Sequence, residues 1–386
     1  MQNLKIIVLG CGNIGSVSAR DLAQSLPSAE ITLADKDEQR AKEVVAKINR
    51  KNVSSIKADA CNQTKLAATL QKFDLALGAL PGNIGYIVCK ACITAGIDLV
   101  DVSYMPEDIM TLQKDTSKAG ITLLPDCGMS PGLSNILIGH AAGQLDKVEA
   151  VQLLNGGLPE KPIPPMEYVI TWSVHDLIDM YSRKVHIVKE NRTIQVEPMT
   201  GLEEVDFPGV GKLEAFYTHG LRTLLYTMKG VEEMWEKTLR YPGHVEKIKL
   251  LKDLGFFDEK TIEVGEISVS PKKVTAELLQ NKLKRKDVSD IVVMKVHVSG
   301  QENGKKVTYT YRLTDRYDAE QHITAMARTT AYTASIVAQL LANGNIKEKV
   351  IIPPEKLGSN EQAYESFMKK MKERKIMIKE NIATQP

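Results

Sequence analysis

Short apolar runs alternate with amphipathic stretches through the first third of the chain. Runs of the buried-strand kind occupy Leu4–Leu9, Glu30–Ala34, Val53–Lys57, Asp74–Ala79, Ile97–Val102 and Ile121–Leu124. Helical spacing of apolar residues fills the gaps, near Ile14–Ser25, Asp37–Asn49, Gln63–Gln71, Ile84–Ala95 and Pro106–Lys118. Strands that alternate with helices predict a parallel sheet with helices on both faces. Right-handed crossovers then make it doubly wound.

After Pro125 the rhythm changes. A helix is predicted over Gly132–Leu145, leading away from the sheet, then a strand over Val148–Asn155 and a proline-rich loop over Pro159–Pro165. Asp290–Val298 and Lys306–Leu313 alternate around Glu302-Asn303-Gly304, the pattern of a hairpin. A long helical pattern returns over Ala319–Ala342 and stops at Asn343-Gly344. The expected division is 1–125, 126–318 and 319–386. The middle part is an α+β domain on a mixed or antiparallel sheet, and the last is a helical segment packing back on the first. The basic stretch Lys369–Lys379 reads as a solvated helix face rather than a nucleic-acid patch.

Composition narrows the class. With 50 basic against 48 acidic residues, no global field favours nucleic acid. No apolar run approaches the roughly 18 residues of a membrane helix. Lys5 interrupts the start too early for a secretory signal. Five cysteines without framework spacing suit a reducing compartment, so a cytoplasmic protein is expected. Cys89 and Cys92 form C-x-x-C inside a predicted helix with no partner pair, which favours core packing and no metal site.

Candidate chemistry concentrates at the strand ends. Leu4–Leu9 runs into Gly10-Cys11-Gly12-Asn13-Ile14-Gly15, a G-x-G-x-x-G at a strand-to-helix turn. Gly10 allows the tight turn, Gly12 lets a pyrophosphate approach the backbone, and Gly15 lets helix and strand pack closely. The helix start at Asn13 and Ile14 adds N–H groups and the positive end of the helix dipole. Asp35 ends the second strand 20 residues after Gly15, where a carboxylate bonds both ribose hydroxyls of NAD. NAD is the expected cofactor and the sheet a Rossmann domain, while Arg40 keeps NADP open. Further cofactor contacts are expected from Lys36, Asp59 and Ala60, then Leu80 and Pro81, and finally Ser103 and Cys127. Tyr104 and Asp126 stand in the same last two turns.

These features resemble the saccharopine dehydrogenase family, and within it the branch of bacterial L-lysine 6-dehydrogenases. The likeness is carried by the glycine turn, Asp101-Val102-Ser103-Tyr104-Met105, Pro125–Asn135, Gly156–Pro159, Thr171–Ser173, Thr238–Gly243 and Ala327–Ala334. It implies a Rossmann domain, an inserted-looking substrate domain, and Ser103-Tyr104 and Asp126-Cys127 turns that face nicotinamide and substrate. It also implies an oligomer. Saccharopine-cleaving relatives carry arginines for the glutarate arm where this chain has His175 and Thr218-His219-Gly220. Without those bidentate partners a dicarboxylate arm is disfavoured, and free lysine has none.

The small-molecule substrate so implied is L-lysine, deaminated at its terminal amine. Arg240 is assigned to its α-carboxylate, with an ion pair as the alternative. Tyr104 or Asp126 accepts or relays a proton, or else bonds structurally. His175 and His219 stand for orientation or base work against plain packing, with His244 weaker still. Met166, Tyr168 and Trp172 form a pocket wall or ordinary core. Two other readings stay open: saccharopine or carboxynorspermidine oxidoreduction, and an NAD-binding regulatory protein without turnover.

Overall fold

The apolar runs of the first third become six parallel strands; the computed structural model describes residues 3–285 and 288–385. β1 (Lys5–Leu9), β2 (Glu30–Asp35), β3 (Val53–Lys57), β4 (Leu75–Gly78), β5 (Asp98–Asp101) and β6 (Leu123–Leu124) lie in the order β3-β2-β1-β4-β5-β6. The connections carry α1 (Asn13–Ser25), α2 (Glu38–Ile48), α3 (Gln63–Leu70), α4 (Gly82–Ala95) and α5 (Gln113–Ala119). Strand order reverses between β1 and β4, so their carboxyl ends bound the crevice where such sheets take a ligand. The helix expected over Pro106–Lys118 forms only from Gln113. Before it, Asp108 accepts from the Met110 N–H and winds Ile109–Leu112 into one 3-10 turn.

A second sheet of nine strands follows. It comprises β7 (Lys147–Pro159), β8 (Val185–Lys189), β9 (Arg192–Val196), β10 (Glu203–Phe207), β11 (Gly211–Tyr217), β12 (Glu233–Arg240), β15 (Asp290–Glu302), β16 (Lys305–Arg316) and β17 (Ile378–Gln385). β12 pairs with β7 in parallel, and the other pairings in this sheet are antiparallel, so the sheet is mixed. A separate hairpin joins β13 (Ile262–Val264) to β14 (Ile267–Val269). The helices here are α7 (Val174–Met180), α8 (Leu224–Thr227), α9 (His244–Asp253) and α10 (Pro271–Leu283). The predicted turn between β15 and β16 has Asn303 at φ 51 and Gly304 at φ 75, the two left-handed residues of a type I′ turn.

The chain forms two compact units that differ from the expected division. One holds the residues up to Gln144 together with Ala327–Met377; the other holds Leu145–Met326 and the residues from Ile378 on. α6 (Leu133–Gln144) belongs to the first because it packs backbone to backbone on α12 (Pro354–Gly358). A Cβ on Gly139 would lie 1.9 Å from the Glu355 carbonyl oxygen, and one on Gly358 equally close to that of Ile136. The helix placed at Ala319 starts later, as α11 (Ala325–Ala342), because His322 is left-handed (φ 52) and Asp318 bonds Ile323 across a loop. Asp290 then accepts from the Ala325 and Met326 N–H groups at 2.6 and 3.0 Å. α13 (Glu361–Glu373) follows, and the helical reading fails beyond it: β17 covers the open edge of β16, in register from Leu313↔Ile378 to Lys306↔Gln385. Nor is the basic stretch only a solvated face. Arg374 forks onto Asp21, with Nε–Oδ1 and Nη2–Oδ2 both 2.8 Å, and each side chain is 11% exposed.

Candidate functional site

The glycine turn of the first unit is built as its spacing predicts. Gly10 has φ 99, and a Cβ there would lie 2.5 Å from the Ala79 carbonyl oxygen. A Cβ on Gly15 would lie 1.9 Å from the Gly10 carbonyl oxygen, so α1 packs on the turn itself. Gly12 is different. Its missing Cβ would point into space, with only the Arg40 guanidinium 4.0 Å away. Gly12 also caps α1 without a side-chain hydrogen bond, so the first turn of the helix keeps donors for an anion. The residues present fit a dinucleotide.

A cleft of about 300 Å³ opens beside this turn. Of the sequence candidates, Gly10, Gly12, Asp35, Lys36, Asp59, Ala60, Leu80 and Pro81 line it. Asn13, Ile14 and Gly15 do not; they build the start of α1. The cleft adds Arg40, Cys61 and Ile84, which lie off the strand ends and so carry no positional signal in the sequence, Arg40 apart. Asp35 accepts from the Cys11 N–H at 2.8 Å and the Asp37 N–H at 3.0 Å, while Arg40 Nε donates to the Cys11 carbonyl at 3.1 Å. A carboxylate and a guanidinium thus hold the turn from either side and both face the cleft.

Ser103 and Cys127, expected as cofactor contacts, are outside this cleft and buried, at 2% and 0% exposure. Both are tied to Asp101, itself fully buried. Ser103 donates N–H and Oγ to its carboxylate at 2.8 and 3.2 Å, and the Cys127 N–H donates to its carbonyl at 2.8 Å. Burial pushes the Cys127 thiol well above its ordinary pKa, with Asp126 and Asp101 adding to the shift, so it is a neutral packing group. Asp126 is buried and left-handed (φ 56), and Tyr104 is half-buried in the turn before it.

In the second unit, side chains two apart on β12 form a buried polar row. Glu236, Thr238 and Arg240 are 3%, 4% and 3% exposed. Glu236 accepts from Asn155 Nδ2 at 2.6 Å and from Thr218 Oγ1 at 2.5 Å. Burial raises its pKa; those hydrogen bonds and the Arg240 charge pull the other way. The Arg240 guanidinium lies 4.6 Å above the Tyr168 ring and Nη1 donates to the Leu239 carbonyl at 2.8 Å. Its buried Nε has no hydrogen-bond partner among the described residues. Trp172 Nε1 donates to the Tyr168 hydroxyl at 3.0 Å, so Trp172, Tyr168 and Arg240 form one cluster. His175 is not part of it: α7 turns that side chain to the exposed face. His219 instead meets His186, edge to face at 5.9 Å. Sequence reasoning missed Glu236, whose signal was the period of two with Thr238 and Arg240.

His244 Nδ1 lies 2.7 Å from the Met166 carbonyl, which only accepts, so Nδ1 carries the proton and Nε2 accepts from the Tyr181 hydroxyl at 2.7 Å. Burial and then Arg240 push the His244 pKa down to about 3, and burial and then Arg222 push that of His219 down to about 4. An unfolded histidine protonates near 6.5, so the unfolded chain binds the extra protons below that pH. Stability is therefore full above about pH 6.5 and falls as the pH drops toward 4 and 3. Denaturant melts at pH 7.5 and 5 are expected to differ by about 2 kcal/mol for each buried imidazole. His244→Gln should flatten that dependence, and equal wild-type stability at both pH values would refute the assignment.

Residues 6–124 match the family described as the saccharopine dehydrogenase NADP binding domain, and residues 128–377 match the saccharopine dehydrogenase C-terminal domain. A saccharopine dehydrogenase (NADP(+), L-glutamate-forming) of Pyricularia oryzae is 23% identical over 325 residues, 80% of this chain and 70% of that protein. Carboxyaminopropylagmatine dehydrogenase of Synechocystis is 19% identical over 371 residues, 92% of each. The mitochondrial alpha-aminoadipic semialdehyde synthase of Rattus norvegicus is 27% identical over 275 residues, 67% of this chain but 29% of that protein, so this chain spans less than a third of its length. The solved apo saccharopine dehydrogenase (L-Glu forming) of Saccharomyces cerevisiae shares the fold, with a TM-score of 0.79 over 99% of this chain and 100% of that one at 18% identity. Among the described residues no helix is long and apolar enough to cross a membrane. With a glycine turn built for a dinucleotide, and the two family domains matched in order across most of its length, the chain belongs to the saccharopine dehydrogenase family.

Proposed function

We propose that this chain is an NAD-dependent amine dehydrogenase that converts L-lysine, NAD+ and water to aminoadipate semialdehyde, NADH, ammonia and a proton. The observation that carries the proposal is Glu236, a buried carboxylate beside a buried guanidinium on β12. A second carboxylate brought near Glu236 is repelled, whereas an ammonium or amine is attracted. Asp35 favours NAD through the ribose hydroxyls, and Arg40 lies across the turn, held by the Cys11 carbonyl.

The cofactor supplies the hydride acceptor when bound. The substrate amine must lose a proton first, because a lysine ammonium has a pKa near about 10.4. Glu236, its own pKa raised by burial, takes up the amine and its proton. Arg240 holds the α-carboxylate by its charge and through Nε, the buried donor that has no hydrogen-bond partner among the described residues. Trp172 and Tyr168 fix the guanidinium plane from below. His219, neutral above about pH 4, orients substrate as a hydrogen-bonding group.

A second reading, saccharopine oxidoreduction, is favoured by Arg222, which is 8% exposed and depresses the pKa of His219 by its charge. It supplies a carboxylate partner two positions beyond the motif where one was sought. The test mixes the purified chain with NAD or NADP and either lysine or saccharopine at pH 9 to 10, following nicotinamide reduction. Reduction with NAD and lysine is expected. Turnover of saccharopine alone selects the second reading, and no turnover with any amine overturns both.

A further inference from the structure

β11 and β12 run antiparallel, and Glu214 stands directly opposite Arg240 in their register. Residues so placed project from the same face, with Cβ atoms about 5 Å apart. A glutamate and an arginine at that spacing are long enough to close into an ion pair. Yet Glu214 Oε2 and Arg240 Nε do not meet: both are buried, and neither has a hydrogen-bond partner among the described residues. The contacts that hold each side chain account for this. Glu214 Oε1 accepts from the Gly243 N–H at 3.3 Å, at the start of α9. Arg240 Nη1 is turned back to the Leu239 carbonyl at 2.8 Å, and the guanidinium lies over the Tyr168 ring.

Buried charged atoms left without partners are costly, so two of opposite sign on facing strands suit a ligand that completes both. Nε asks for a negatively charged acceptor, and Oε2 for a positively charged donor. A carboxylate and an ammonium on one carbon meet both demands, and that is the end group of an α-amino acid. Glu236 lies four residues back along β12, about 13 Å away at about 3.3 Å per residue. It therefore serves the far end of such a substrate, and the α-ammonium falls to Glu214.

We propose that Glu214 binds the substrate's α-ammonium, so that Glu214 and Arg240 together select a free α-amino acid. This rests on the reading that gives Arg240 the α-carboxylate and Glu236 the terminal amine. Two six-carbon acids test it without turnover: L-norleucine keeps the α-ammonium, hexanoate lacks it, and neither carries a terminal amine. Titration calorimetry on the full chain at pH 7.5 is expected to show norleucine binding about tenfold or more tighter than hexanoate, the range of one charge-assisted hydrogen bond. Glu214→Gln should remove most of that preference. Hexanoate should bind the variant at least as well, since a repelling charge is gone, and its binding shows that the variant is folded. Glu214→Asp, which keeps the charge, should keep part of the preference. Equal affinities in the unaltered chain, no binding of norleucine, or a full preference in Glu214→Gln overturns the proposal. Since neither acid is oxidised, a failure to turn over lysine would count against the dehydrogenase reading alone and leave this result standing.

Discussion

Replacing Glu236 by Gln should lower kcat/KM for lysine by about 10²-fold or more, the range of a lost general base, while leaving the affinity for NAD unchanged. The reason lies in how the carboxylate is held. Asn155 Nδ2 donates to one oxygen and the Thr218 hydroxyl to the other, so both oxygens are oriented by donors. A glutamine amide turns one of these contacts into donor against donor and removes the negative charge that attracts the amine. The pH profile adds a readout that a structural role would not move: the acid limb set by Glu236 should disappear in the variant. Unchanged kcat/KM with intact folding would remove Glu236 from the reaction.

Two alanine substitutions three residues apart should behave oppositely. Gly15→Ala places a Cβ 1.9 Å from the Gly10 carbonyl oxygen, a backbone atom that cannot swing aside. The strand-to-helix turn must deform, at about 3 kcal/mol or more, with a drop in Tm of several degrees. Gly12→Ala meets nothing nearer than the flexible end of Arg40 at 4.0 Å, and its φ of −73 suits any residue. Its Tm should be unchanged. Its affinity for NAD should fall by about tenfold or more, since the methyl takes space the pyrophosphate uses. Calorimetry and a fluorescence titration of NADH check both. Normal binding by Gly12→Ala, or a lowered Tm, would show that the cradle is not where the dinucleotide lies.

The dinucleotide cradle on the first sheet was legible because its chemistry is local. Strand, turn, helix and the terminal Asp35 lie within one βαβ stretch, and the glycines answer to contacts with near neighbours. The second unit is assembled from distant segments. Glu236 is held by Asn155 and Thr218, and Arg240 by Tyr168, so no local pattern links them. The exposed His175 shows the reverse failure. A polar residue beside a motif attracts attention, yet whether it faces inward depends on the phase of α7, which the flanking residues alone do not set. The unit boundaries were missed for a similar reason. Gly139 and Gly358 permit the close approach of α6 and α12, but glycine in a helix reads locally only as a weak breaker.

The pairing of β17 with β16 has a consequence for synthesis. On the ribosome, the second sheet carries an open β16 edge until residues 378–385 emerge, and the first unit lacks α11 to α13 until residue 377 does. Neither unit can close early, so each nascent chain holds long-range contacts in abeyance while most of it is already made, the condition under which chaperone engagement is favoured.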